Sequence, residues 1–288
     1  MKPLQNGTNK PFTITIASTK GGSAKSTNAA NIGAFCAEHG LRTLLIDTDT
    51  QPTLSSYYEL EYQAPGGTYE FLHFKDVDPT HIISRTTIPN LDLIQSNDPS
   101  NKISPMLRDS PDGALRFSLL LQKIEGYDVI IIDTRGTRDI TVDMSVLAAD
   151  VLFCPILPHI LSAKEFIRGT IGMYQDLETF TAFGFTLPPL KAMINCVDHT
   201  KDVKLVSDYL HTLFKNEFDE SKTLLEFSVP DRVAYREAAT FSKPVYRQSQ
   251  AEYETIRQLC GLLMPQFAWA SLLSFRHRLR KHRKNLNR

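Results

Sequence analysis

The stretch STKGGSAKST, residues 18–27, decides the fold of this 288-residue chain. It follows the apolar run Phe12–Ala17 and precedes Lys25–His39, a helical pattern that ends at Gly40. Small residues between a strand and a helix let backbone N–H groups approach an anion, and the helix start adds positive dipole. The stretch therefore predicts a phosphate-binding loop, although a glycine-rich turn without a ligand has a similar composition.

Six further apolar runs follow along the chain, and several show almost no alternation with polar residues. They are Leu41–Asp47, Leu91–Ser96, Tyr127–Asp133, Val151–Leu157, Leu190–Val197 and Leu224–Val229. Continuous apolar runs are typical of parallel strands that are covered on both faces. With helical segments between them, they predict an α/β, doubly wound, mostly parallel sheet flanked by helices.

The segment boundaries divide the chain into three predicted parts. Residues 1–11 are polar and are interpreted as a flexible leader, 12–250 as the α/β domain, and 251–288 as a helical C-terminal extension with a basic tail. Pro265 is expected to kink or split that extension. Residues 57–89 are interpreted as helical and loop excursions on the main domain.

The charge distribution and the cysteine spacing indicate the partners and the compartment to expect. The chain has 32 basic and 32 acidic residues, but residues 275–288 carry seven Lys or Arg and no acid. This cationic end predicts contact with a polyanion or a membrane surface. The four cysteines are far apart in sequence and show no metal-binding or redox spacing, so a reduced, cytoplasmic compartment is expected. No signal core or membrane-spanning run occurs in the sequence.

Within the loop, the residue types match the needs of a magnesium–nucleotide complex. Lys25 would neutralise the β- and γ-phosphates, the Ser26 hydroxyl would be a Mg²⁺ ligand, and Thr27 would bond the α-phosphate. Backbone and side-chain groups of Gly21, Gly22, Ser23, Ala24, Lys25, Ser26 and Thr27 are the predicted nucleotide ligands. An ordinary Walker A motif requires Gly at the positions of Thr19 and Ala24, so that pattern does not fit.

The pattern K-G-G-x-x-K-[ST], with a second lysine, does fit, and it resembles the deviant loop of the ParA/MinD-type ATPases. The resemblance implies that Lys20 reaches across a dimer interface to the nucleotide of the partner. Ala24 departs from that family, which usually has Gly there, and this departure predicts weaker or slower nucleotide handling.

Two acidic strand ends resemble further motifs of the same family. Asp47 ends the second run and Asp49 follows it, and the resemblance implies that Asp49 polarises the attacking water and Asp47 supports the metal. Thr50 replaces the family's Pro, so this loop is expected to be less rigid. Asp133 ends the fourth run and resembles a Walker B carboxylate that holds Mg²⁺ through water. Acidic residues after strands are also common as turn formers and helix caps.

Arg135 stands where the family typically has Pro after Asp133-Thr134, and Arg138 follows shortly after. Each could contact phosphate, DNA or an acidic partner. Pairing with the nearby acids Asp139 and Asp143 is the simpler interpretation for each arginine.

The resemblance extends, in order, over most of residues 12–247. It implies that Asn195 hydrogen-bonds adenine and that Pro230 and Asp231 help to enclose the base. The segments Arg236–Ala239 and Lys243–Val245 resemble the ParA stretch "REA…GKPV".

Resemblance to the ParA branch implies a slow ATPase that uses ATP and Mg²⁺ and forms a nucleotide-sandwich homodimer. The dimer would bind DNA without sequence preference, and a ParB-like centromere-binding partner would stimulate hydrolysis, so that a plasmid or mobile element is segregated. A nucleoid-associated location follows from this assignment. The candidate DNA-binding residues are cationic side chains, namely Arg232, Arg236, Lys243, Arg247, Arg276, Arg278, Arg280 and Lys281.

Three alternatives stay open. In the MinD branch, a C-terminal amphipathic helix binds membrane, and here Phe267 and Trp269 precede the basic residues of the tail. A non-hydrolysing nucleotide-binding adapter is compatible with Ala24 and Thr50. A metabolic ligase of the same superfamily is less favoured, because no acyl-acceptor site is evident.

Overall fold

The computed structural model describes residues 10–74 and 76–267. Within them, the strands are β1 Phe12–Ile16, β2 Thr43–Asp47, β3 Leu60–Tyr62, β4 Ile83–Thr86, β5 Leu91–Ile94, β6 Val129–Asp133, β7 Val151–Ile156, β8 Leu190–Val197 and β9 Lys222–Pro230. They form one sheet in the order β3-β4-β5-β2-β6-β1-β7-β8-β9. The neighbours from β5 to β9 in this order are all parallel, and β4 pairs antiparallel with both β3 and β5.

The helices lie on both faces of this sheet. They are α1 Lys25–Glu38, α2 Thr68–His73, α3 Pro79–Ile82, α4 Ile103–Arg108, α5 Gly113–Leu121, α6 Ile140–Leu147, α7 Ile160–Glu165, α8 Gly172–Leu177, α9 Lys201–Glu217, α10 Val233–Thr240 and α11 Gln250–Leu263. A π-helical segment, Phe166–Ile171, joins α7 to α8. Short 3₁₀ turns occupy Glu178–Phe183, Val245–Arg247 and Pro265–Phe267.

Successive strand residues bury their side chains on opposite faces of the sheet. On one face Ile131 packs in the same apolar cluster as Phe35 of α1 and Ile256 of α11. On the other face Ile130 and Ile132 pack with residues of α4, α5 and α6. This two-sided burial explains the continuous apolar runs of the sequence, and the doubly wound, mostly parallel architecture is confirmed.

All seven predicted strands occur, with differences of one to a few residues at their ends. The predicted helix Lys25–His39 is also present, and Gly40 follows it with a φ of +92°, the left-handed conformation expected after a helix. The interpretation of residues 57–89 as helix and loop was incomplete, because β3 and β4 lie there. Strands of three and four residues are too short to give a clear alternating pattern.

The predicted C-terminal extension begins with a helix that packs on the main domain. Helix α11 begins at Gln250, and its Tyr253, Ile256 and Leu259 are buried in the cluster that also contains Phe35 of α1. The helix ends at Leu263, before Pro265. The remainder of the predicted extension, and the leader up to residue 9, lie outside the described residues.

Candidate nucleotide-binding site

The predicted phosphate loop lies between the end of β1 and the start of α1, at the carboxyl edge of the parallel strands. Two residues of the loop have left-handed backbone conformations, Gly22 with φ +77° and Ala24 with φ +64°. The loop borders a cavity of about 630 Å³, whose lining consists of Gly21–Thr27, Asp49–Gln51, Thr53 and Arg135–Thr137. The sequence-predicted loop residues and Asp49 are therefore brought together around one space.

The two lysines of the loop have opposite environments. Lys25 is buried, with 7% of its surface exposed, and lines the cavity. Burial lowers the pKa of its ammonium group, and the carboxylates of Asp133 and Asp49 oppose that shift. Lys20, in contrast, is exposed and lies outside the cavity lining. One lysine is thus buried at the cavity, and the other is exposed to solvent.

Asp47 and Asp133 lie side by side at the ends of β2 and β6, where the strand register pairs them directly. Asp47 is fully buried and accepts hydrogen bonds from the Ser55 backbone N–H at 2.8 Å and the Ser55 hydroxyl at 2.7 Å. Burial raises the pKa of Asp47 to about 6, although these bonds and one from the Asp49 N–H oppose the shift. Both carboxylate oxygens of Asp47 therefore have hydrogen-bond donors, and its position is fixed.

Asp133 is fully buried, and neither of its carboxylate oxygens has a hydrogen-bond partner among the described residues. Burial and the charge of Asp47 raise its pKa well above the usual value. The Ser26 hydroxyl and the Lys25 ammonium group oppose that shift, but Ser26 makes no hydrogen bond of good geometry with Asp133. Buried polar groups without a partner are rare, and a buried carboxylate of this kind suits a metal ligand.

A magnesium ion fits this set of residues. Asp133 offers carboxylate oxygens without a partner, and Ser26 lines the adjoining cavity. Within the described ranges, no cluster of three or more His, Cys, Asp or Glu side chains could hold a metal ion. Mg²⁺ commonly takes only one or two protein ligands together with waters and substrate phosphates. The oxygens of Asp133 and Ser26 are therefore a sufficient set of protein ligands.

Asp49 lies in the loop after β2 and faces the cavity. Its backbone N–H donates to Asp47 at 3.1 Å, and its own carboxylate accepts from the Gln51 N–H at 3.1 Å. The Ser96 hydroxyl donates to the Asp49 carbonyl oxygen. These contacts fix the backbone of Asp49 and leave its side chain at the border of the cavity, where it could orient a water molecule.

The loop after β6 packs directly against the phosphate loop. A side chain at Gly136 would bring its Cβ within 2.8 Å of the Gly21 Cα atom, so only glycine fits there. Arg135 pairs with Asp139 at 2.6 Å, and Arg138 pairs with Asp143 at 3.0 Å. The simpler interpretation of both arginines as partners of nearby acids is confirmed.

A contact that sequence reasoning missed supports the loop from another side. Thr170, in the π-helical segment Phe166–Ile171, is fully buried and accepts a hydrogen bond from the Thr19 N–H at 3.2 Å. The hydroxyl groups of Thr19 and Thr170 also lie 3.1 Å apart. A π-helical turn is rare and often occurs at functional sites. No signal in the sequence indicates it, since Thr170 lies far along the chain.

The residues predicted to enclose adenine lie at the ends of β8 and β9. The Asn195 side-chain amide is buried and donates to the Ser23 carbonyl oxygen at 3.2 Å, so it supports the phosphate loop. Pro230 pairs with Val197 in the sheet, and the Asp231 N–H donates to the Val197 carbonyl oxygen at 3.0 Å. None of these three predicted ligands lines the phosphate-loop cavity.

Most of the described candidate DNA-binding cations are already paired with carboxylates. Arg232 pairs with Glu252 at 2.6 Å, Arg236 lies 3.6 Å from Asp231, and Arg247 pairs with Glu38. Lys243 is exposed, and the described part of the chain offers it no ion pair. The other four candidates, Arg276, Arg278, Arg280 and Lys281, lie outside the described residues.

Comparison with known proteins agrees with this geometry. A family model described as an AAA domain matches residues 12–178. The chain is 32% identical over 136 residues to the "Probable plasmid-partitioning protein ParA" of Thermus thermophilus, covering 47% of this chain and 42% of that protein. It is 30% identical over 177 residues to the "Maintenance of carboxysome distribution protein A" of Synechococcus elongatus, covering 60% of this chain and 68% of that protein.

Solved structures share the same fold. The ATP complex of a Cyanothece McdA variant superposes with a TM-score of 0.75 at 22% identity, covering 88% of this chain and 96% of that one. The cobyrinic acid a,c-diamide synthase of Mycobacterium smegmatis, with bound ADP and magnesium, gives a TM-score of 0.64 at 25% identity, covering 80% and 93%.

The sheet order, the phosphate loop and the two strand-end aspartates together define a P-loop nucleotide-binding domain. With the family match over residues 12–178 and the plasmid-partitioning relatives, the chain belongs to the AAA-domain family and is a ParA-type P-loop ATPase. The chain spans less than half the length of the first two relatives, 42% of the Thermus protein and 48% of one from Rhizobium rhizogenes. Among the described helices, none has the length and apolar character that crossing a membrane requires.

Proposed function

We propose that this chain is a dimerising partition ATPase that segregates a plasmid or other mobile element. The observation that carries the proposal is the difference in environment between the two loop lysines. Lys25 is buried at a cavity bordered by Asp49 and next to the partnerless carboxylate of Asp133, whereas Lys20 on the same loop is exposed. A single molecule therefore has a place for phosphates and one exposed loop lysine that does not line it.

In this proposal, Lys25 and the loop N–H groups hold the phosphates, and Ser26 and Asp133 hold the metal. A magnesium ion, when bound, would neutralise charge on the phosphate oxygens. Asp49 orients the attacking water. Lys20 of a second copy supplies positive charge at the terminal phosphate, so hydrolysis depends on dimerisation and is slow in the isolated chain.

The test compares alanine variants of the two loop lysines. Lys25 is predicted to contact the nucleotide of its own subunit, and Lys20 that of the other subunit. Lys25→Ala should abolish binding of ATP, measured by calorimetry with magnesium, and with it ATP-dependent dimers, measured by light scattering. Lys20→Ala should leave ATP binding within a few-fold of the wild type but remove hydrolysis, because the exposed lysine serves the other subunit's nucleotide.

Equal losses of ATP binding in the two variants would contradict the separate roles proposed for Lys20 and Lys25. Rapid hydrolysis without DNA or partner would contradict a slow molecular switch. Hydrolysis that is absent even with DNA and partner, in a chain that still binds ATP, would favour the nucleotide-binding adapter.

DNA binding and partner stimulation form the finer part of the proposal. They are supported by the plasmid-partitioning relatives, by the exposed Lys243 and by the cationic residues 275–288 of the sequence. The ATP-bound dimer should shift duplex DNA of unrelated sequences equally, and binding should weaken steeply with salt. Flotation with anionic liposomes instead of a DNA shift would favour the MinD-like alternative, and recovery of a centromere-binding protein with ATP would identify the partner.

A further inference from the structure

Arg135 is a half-buried cation in the wall of the phosphate-loop cavity. Its side chain is 11% exposed and lines the same space as Lys25 and Asp49. Its position is fixed by the neighbouring Gly136, whose backbone lies against Gly21 of the phosphate loop. The loop after β6 thus holds a guanidinium group at the border of the nucleotide space, in the same molecule.

The guanidinium group is only partly satisfied in the described state. One terminal nitrogen, Nη1, donates to the Asp139 carboxylate at 2.6 Å, and the other, Nη2, donates to the Asn101 side-chain oxygen at 3.0 Å. The Nε–H of Arg135 is buried and has no partner among the described residues. A buried donor without a partner is costly, so a further acceptor in the cavity would be favourable.

Asp139 does not depend on Arg135 for its hydrogen bonds. It caps helix α6, where its carboxylate accepts from the Thr141 N–H at 3.1 Å and the Val142 N–H at 3.2 Å. The Ser104 hydroxyl also donates to it. If Arg135 moved to another anion, Asp139 would keep these partners, so the ion pair can open without leaving a bare buried carboxylate.

We propose that Arg135 contacts the terminal phosphate of the bound nucleotide and thereby makes the site prefer ATP to ADP. This inference rests on the proposed function, in which Asp49 orients water at the terminal phosphate. Arg135 lines the same cavity as Asp49. Arginine suits the role because its planar fork of donors bonds two phosphate oxygens at once.

The experiment measures the affinity of fluorescent mant-ATP and mant-ADP, each with magnesium, for the full chain and its variants. Arg135→Gln should weaken ATP binding by about tenfold to a hundredfold, the loss expected for hydrogen bonds between charged groups. ADP binding should stay within about twofold. Arg138→Gln is the matched control, since Arg138 lies on the same loop but outside the cavity lining and pairs with Asp143.

Two further variants keep the test decisive if Arg135→Gln folds poorly. Arg135→Lys retains the charge without the fork and should restore part of the ATP preference. Asp139→Asn retains the helix cap but weakens the ion pair that holds Arg135. This variant should therefore leave ATP binding unchanged or strengthen it. Melting temperatures without nucleotide identify variants that are merely unfolded.

Equal weakening of ATP and ADP binding by Arg135→Gln would overturn the inference, because it would mean that Arg135 only holds the loop. An unchanged ATP preference in Arg135→Gln would overturn it as well. A wild-type chain that binds neither nucleotide would instead refute the proposed function, so the two failures are distinguishable.

Discussion

Ala24 holds a backbone conformation that glycine adopts more easily, and replacing it tests the strain in the phosphate loop. Its φ of +64° and ψ of +33° lie in the left-handed region. A side chain there costs about 1–2 kcal/mol, because Cβ approaches the following carbonyl oxygen. Against this, glycine gives the unfolded chain more conformational entropy, which lowers the free energy of unfolding by about 0.4–1 kcal/mol. Ala24→Gly should therefore raise the free energy of unfolding by about 0.5–1 kcal/mol.

Differential scanning calorimetry without nucleotide measures this effect. For a domain of this size, the gain corresponds to a rise in melting temperature of about 1–4 °C. Ser242→Gly is the matched control, since Ser242 has φ +51° far from the phosphate loop in sequence and should give a similar rise without changing ATP affinity. Ala24→Val should lower the melting temperature, because a β-branched residue is poorly tolerated at positive φ.

The strain argument is wrong if Ala24→Gly leaves the melting temperature unchanged or lowers it while Ser242→Gly raises it. That result would mean that the Ala24 methyl group contributes packing that outweighs its backbone cost. ATP hydrolysis by Ala24→Gly then tests a separate point, the expectation that the alanine slows nucleotide handling. An unchanged rate would contradict that expectation without touching the strain argument.

Three other variants test the surroundings of the loop. Asp133→Asn should stabilise the metal-free protein, and the gain should grow as pH rises above the ordinary carboxyl range. The reason is that the pKa of Asp133 is raised in the folded protein, so ionisation of this carboxyl group opposes folding. Magnesium-dependent ATP binding by this variant should be lost in calorimetry. Gly136→Ala should weaken ATP binding at least tenfold, since the added Cβ would lie 2.8 Å from the Gly21 Cα atom, whereas Gly172→Ala, whose Cβ meets nothing within 4 Å, should not. Thr170→Val should cost about 1–3 kcal/mol in urea denaturation, because a backbone N–H of the phosphate loop loses its acceptor.

The sequence was most informative where structure is local or where burial is two-sided. The strand β6 is predictable because all five of its residues are buried, so its run is apolar up to the final residue, Asp133. The phosphate loop is predictable because its two glycines and two lysines all lie within residues 20–25. Resemblance implied that Asp47 and Asp133 both serve the metal, and the strand register pairs them directly.

Contacts between distant segments were not predictable. The hydrogen bond from Thr19 to Thr170 joins residues 151 positions apart, and the π-helical turn that places Thr170 has no sequence pattern. The bond from Asn195 to Ser23 likewise joins residues 172 positions apart. Resemblance indicated that Asn195 belongs to the site, but only the structure shows its contact with the phosphate loop.

The departures of this loop from an ordinary Walker A motif have structural counterparts elsewhere in the chain. Thr19 places a side chain where that motif has glycine, and the opposite residue is Gly169. A Cβ at Gly169 would lie 2.2 Å from the Thr19 hydroxyl oxygen, so the π-helical segment makes room for the threonine and then bonds it through Thr170. The threonine is thus both accommodated and used, because its contacts tie the phosphate loop to the segment between α7 and α8. Any movement of the loop on binding nucleotide would have to be shared with that segment or break these bonds.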